Sequence, residues 1–198
     1  DTNAEIKQTL DTGNIDILGM TWYFNETNPL SGFTEWIDYA LQNNPNIKIF
    51  VSIPPIDFPA DWQQAAEDSG YNNIRDLYED VVSDLTHKAT IDQLRELYPS
   101  TEVFTLPTGW ATFDLVDQHE NNLLLDDISL FGSYDDSIFR DTKGHQGKIV
   151  INTGALIWLN GLYGVNLRTN DSDTGFNTDL HTIAENIMDL HDTNYKQQ

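Results

Sequence analysis

The chain has 198 residues, 39% hydrophobic and 11% aromatic, which suffices for a sizeable core in one domain and excludes intrinsic disorder. Ten Lys and Arg against 32 Asp and Glu give a formal net charge of -22, a field that repels phosphates and anionic headgroups and so argues against nucleic-acid partners. The absence of cysteine removes disulfides, thiolate metal sites and cysteine nucleophiles, and no apolar run approaches the roughly 20 residues that cross a bilayer. The first residues, Asp1-Thr-Asn-Ala-Glu, have no signal-peptide character, so any export signal is expected to be already removed or never present.

In chain order, residues 1–14 contain no strand pattern and no serine. Residues 15–20 (IDILGM) read as a buried strand. A helix is predicted over 32–42, where Phe33, Trp36, Ile37, Ala40 and Leu41 share one face, and Asn43-Asn44-Pro45-Asn46 stops it. A second buried strand is predicted over 47–53 (IKIFVSI). The longest helical pattern covers 73–98, with a phase slip between Thr86 and Thr90 that predicts a bend or break. Residues 102–106 (EVFTL) read as the third strand, and 107–145 as irregular. A helix over 147–163 has apolar residues on more than one face and is expected to be largely enclosed. The polar loop 165–177 precedes a last helix over 178–192. Strands alternating with helices predict a single α/β domain, residues 1–198, with a parallel sheet.

The segment most suggestive of chemistry is Phe139-Arg-Asp141-Thr-Lys-Gly-His145-Gln-Gly147, just ahead of the enclosed helix. An imidazole fixed there can act as a general base, and a nearby carboxylate can hold its tautomer. The plainer reading is a surface turn in which Asp141 helps to cap the helix and His145 is incidental. No serine lies in a strand-turn-helix elbow: Ser52 falls inside a strand, Ser31 begins a helix, and Ser129, Ser133 and Ser137 lie in the loop before Asp141. His87, His119, His181 and His191 share no metal-ligand spacing and read as solvated or capping residues. Asp171-Ser-Asp173-Thr-Gly175 reads as a turn rather than a calcium loop, and the acid pairs at 126–127 and 135–136 are what so acidic a chain contains by chance. Trp22, Tyr23, Trp62 and Trp110 suit either a pocket wall or core packing.

Taken together, FRDTKGHQG, LNGLYG at 159–164, TEVFTLPTGWATFDL at 101–115, NIDILGM, and FTEWIDYALQNNPNIKIFVSIPP resemble the SGNH hydrolases, a superfamily of GDSL-like esterases and lipases. The resemblance implies a three-layer, flavodoxin-like parallel sheet flanked by helices. It also implies hydrolysis of carboxylic esters, acyl or acetyl esters of a lipid or carbohydrate, by Ser-His-Asp chemistry. His145 would be the general base and Asp141 its orienting acid, with Gly19 and Asn25 as oxyanion donors and no metal or organic cofactor. The chain departs from the family in placing three residues rather than two between Asp and His, and in having Thr21 where an oxyanion Asn is usual. By position, the strand at Ile15 corresponds to the family's third, so the first two strands and the nucleophilic serine are expected to be missing. The implied partner is a small-molecule or carbohydrate ester, with neither nucleic acid nor a membrane span. The competing expectation is a noncatalytic or truncated homologue that binds carbohydrate or protein, with an exposed sheet edge favouring a homo-oligomer. A third is an acidic, metal-dependent binding module. The location stays open, with family habit favouring a secreted or periplasmic protein.

Overall fold

The computed structural model describes residues 2–23 and 30–198. In chain order its elements are α1 (Thr2–Leu10), β1 (Ile17–Thr21), α2 (Ser31–Asn43), β2 (Lys48–Ser52), α3 (Trp62–Asp68) and α4 (Ile74–Asp80). A π-helical stretch (Val81–Asp92) and α5 (Gln93–Leu97) follow, then β3 (Val103–Leu106), α6 (Gly109–Glu120), β4 (Ser129–Phe131), β5 (Ser137–Phe139), α7 (Lys148–Tyr163) and α8 (Leu180–Leu190). This is a mixed α/β chain with small parallel sheets flanked by helices. No helix among the described residues is long and apolar enough to cross a membrane.

The residues group into two compact units. The first comprises 1–53, 81–105 and 194–198; the second comprises 54–80 and 106–193. Each draws on separated stretches of chain, so no change in composition along the sequence marks the division.

In the first unit, β1, β2 and β3 form one sheet in that order. β1 and β2 are parallel, with Ile17 opposite Lys48 and Thr21 opposite Ser52. The Ile49 amide donates to the Glu102 carbonyl on the other side of β2. One core gathers Phe33, Ile37 and Ala40 from α2 with Ile49 and Val51 from β2, closed by Ile91, Leu94 and Tyr195. Burying each such Leu, Ile or Phe is worth about 1.5–3 kcal/mol, which is why the helical spacing of the apolar residues decides the orientation of α2. β2 and β3 are buried as expected, whereas β1 is an edge strand with Gly19 and Thr21 exposed.

The phase slip in the long helical stretch has a specific cause. Thr86 Oγ1 donates to the Val81 carbonyl at 3.3 Å and Thr90 Oγ1 to that of Leu85 at 2.8 Å, five residues back in each case. The wider turn keeps Val82, Thr86, His87, Thr90 and Ile91 buried across a register that an α-helix would break.

In the second unit, α7 packs against α6 and α8. α8 buries Leu180, Ile183, Ala184, Ile187 and Met188 on one face and is capped by Asp179, whose carboxylate accepts from Thr182 N at 3.0 Å. α7 buries Ile149, Val150, Thr153, Leu156 and Ile157 and ends at Gly164, which has φ 64°. Its expected enclosure is incomplete, because Ile151 and Trp158 stay more than 40% exposed. The stretch 107–145, expected to be irregular, instead contains α6, β4 and β5. α6 starts against the loop after β2: a Cβ on Gly109 would lie 2.0 Å from Tyr78 Oη and 2.7 Å from the Pro54 carbonyl carbon, so only glycine admits that approach.

Candidate active site

Asp141 and His145 lie on the two sides of a short hairpin turn. Phe139 and Gln146 pair in antiparallel fashion, Arg140 N donates to the His145 carbonyl at 2.7 Å, and Gly147 N donates to the Ile138 carbonyl at 2.7 Å. Residues 141–144 form the turn, with Gly144 at φ 102°, a backbone region that β-carbons disfavour. The three intervening residues therefore face Asp and His across the hairpin neck, so the unusual spacing does not separate them. Asp141 does not cap α7; Gly147 holds that position.

Both oxygens of the Asp141 carboxylate are used. Oδ1 accepts from the amides of Lys143, Gly144 and His145 at 3.1, 3.1 and 3.2 Å. Oδ2 lies 2.5 Å from His145 Nδ1. The bond from the His145 ring, joined by the backbone donors, holds the Asp141 carboxyl below the usual carboxylate range although burial opposes this. An ionised carboxylate only accepts, so Nδ1 carries the proton and the lone pair of a neutral ring sits on Nε2. The His145 side chain is 61% exposed, which leaves Nε2 open to a substrate or to water.

Of the two expected oxyanion donors, one falls among the described residues. Gly19 lies in the other unit, in the middle of β1, where a Cβ would fall 2.2 Å from the Phe50 ring. Close packing accounts for that glycine. Asn25 lies outside the described residues. The serines near the hairpin are occupied: Ser137 Oγ donates to the carbonyls of Ser133 and Phe139, and Ser133 Oγ donates to Asp136 Oδ1 at 2.6 Å. Neither pairs with His145.

Two histidines read as solvated or capping are in fact buried. His87 is 6% exposed and stacks on the Tyr195 ring with centroids 3.7 Å apart, and His191 is 7% exposed. Among the described residues no group of three or more His, Asp or Glu could hold a metal ion. Asp126, read as a chance acid, ties two loops together. It accepts from the backbone and side chains of both Asn177 and Thr178. Burial pushes its pKa up, but these four bonds together bring it below the usual range. Gly175 N donates to Asp173 Oδ1, so that segment is the expected turn.

Sequence reasoning passed over the loop between β2 and α3, which runs past the hairpin. Phe58 N donates to the Lys143 carbonyl at 2.9 Å, and a Cβ on Gly144 would touch Pro59 Cδ at 3.0 Å. The Pro54-Pro55 and Phe58-Pro59 pairs were the available signal for a rigid loop. No family model, curated protein or solved structure matches the chain.

Proposed function

We propose that the chain carries the acid-base half of an SGNH-type hydrolase acting on carboxylic esters, such as acyl or acetyl esters of a lipid or carbohydrate. The observation that carries this reading is the 2.5 Å contact of His145 Nδ1 with a carboxylate whose other oxygen is held by three amides. Asp141 fixes the tautomer and stabilises the imidazolium; His145 Nε2 takes a proton from the attacking hydroxyl and returns it to the leaving alkoxide. On this reading neither Ser133 nor Ser137, whose hydroxyls are held by other partners, is the nucleophile, and the architecture is three-layer and flavodoxin-like. On an activated ester the same base can act on water.

A second reading, a noncatalytic homologue that pairs through its sheet, is favoured by the exposure of the edge strand β1. Release of p-nitrophenol from p-nitrophenyl acetate separates the two. Ester hydrolysis by wild type that is lost in His145→Ala and reduced in Asp141→Asn supports the hydrolase. Equal release by wild type and His145→Ala overturns it, and no release by wild type favours the second reading.

A further inference from the structure

The loop between β2 and α3 holds an exposed aromatic residue in a costly conformation beside the hairpin. Phe58 has φ 58° and ψ 62°, the left-handed region that a bulky side chain avoids, and it is 52% exposed. Its backbone is not free to relax. Tyr78 Oη donates to the Pro54 carbonyl at 3.0 Å and Trp62 Nε1 to that of Ile56 at 3.0 Å. Phe58 N donates to Lys143, and Asp61 N donates back to the Phe58 carbonyl at 2.9 Å. Pro54, Pro55 and Pro59 restrict the remaining torsions.

Beneath this loop, Trp62 stacks on Phe113 at 4.7 Å and meets the edge of Phe139 at 5.7 Å. Phe58 takes no part in that buried cluster. A lone exposed aromatic residue needs no explanation by itself. One held on strained, anchored backbone, against the turn that joins Asp141 to His145, does.

We propose that Phe58 is a specificity-determining residue, a preformed apolar platform that receives a flat ring of the substrate next to His145. The inference rests on the reading of Asp141 and His145 as the reactive pair, and it narrows the substrate to esters that carry an aromatic ring. Gly144, at φ 102° and packed on Pro59, couples the platform to the hairpin. A preformed face loses little freedom on binding, and aromatic pairing adds to the area it covers.

The test uses two ketones that carry a carbonyl but cannot be hydrolysed, phenylacetone and butanone. Each is titrated into isotope-labelled chain while the His145 imidazole and Phe58 ring signals are followed by NMR. Phenylacetone should move both signals along one saturation curve, with butanone binding about fivefold or more weakly, the scale of one aromatic contact. Phe58→Gly suits the left-handed backbone and should keep a folded spectrum while raising the Kd for phenylacetone about fivefold. An unchanged Kd in Phe58→Gly overturns the proposal, as does movement of His145 without Phe58 or of neither. His145→Ala separates this from the catalytic reading: if it keeps the wild-type rate of p-nitrophenol release while phenylacetone still moves Phe58, the reaction assignment fails and the platform stands.

Discussion

A Cβ on Gly147 would lie 1.8 Å from the carbonyl oxygen of Ser137, so the hairpin that carries His145 closes onto β5 only because residue 147 has no side chain. The obstacle is backbone, and backbone within a hydrogen-bonded pair cannot give way cheaply. Gly147→Ala should therefore destabilise the protein by about 2 kcal/mol or more, read as a fall in the urea midpoint. An unchanged midpoint would mean that the hairpin seats differently on β5.

The Asp141-His145 pair predicts a pH dependence of definite sign. The folded pKa of Asp141 is lowered, chiefly by the His145 ring, so the stability it contributes is present above the ordinary carboxylate pKa. That contribution disappears as pH falls through the lowered value. Asp141→Asn should be less stable than wild type at neutral pH, and the difference should shrink as pH drops below about 4. Paired urea titrations across that range measure it. A gap that widens toward acid would contradict an ionised Asp141.

Asp126 predicts a purely structural loss. Its carboxylate accepts four bonds from Asn177 and Thr178, which join the loop before β4 to the start of α8. Asp126→Ala leaves those donors without their charged partner and should cost about 2 kcal/mol. The check is a lower thermal midpoint with the His145 NMR signals unchanged, because the hairpin keeps all of its own bonds.

At the start of α8, Asp179→Ala should cost about 1 kcal/mol, the usual loss for a removed N-cap. Asp179 accepts from both the amide and the hydroxyl of Thr182, and these bonds, the amide foremost, keep its pKa below the usual carboxylate range. Hydrogen exchange at the first amides of α8 should speed up in the variant, while α7 stays protected.

Much of the architecture was legible because periodicity is local. Phe33, Ile37 and Ala40 placed α2 within a residue or two of its observed bounds, and the apolar runs around Ile49 and Phe104 marked β2 and β3. The slip at Thr86 to Thr90 was visible, but its resolution into π-helical turns was not, because it depends on hydroxyls reaching carbonyls five residues back. α6 was passed over because Asp114, Asp117 and Glu120 dilute its apolar face. Arg75, which pairs with Asp114 and Asp117 from 39 and 42 residues away, makes that acidity tolerable.

By itself, the sequence determined which residues could react: an Asp and a His, four apart, on a turn before a helix, in a chain with no cysteine and a strongly acidic surface. The tertiary structure decided what they become. A hairpin neck brings His145 onto Asp141, glycines at 144 and 147 allow the turn to close and dock, and a strained loop holds Phe58 against it. Residue type and spacing set chemical capacity. Contacts between segments more than 80 residues apart, such as Phe58 with Lys143, set geometry, and no local pattern in the chain records them.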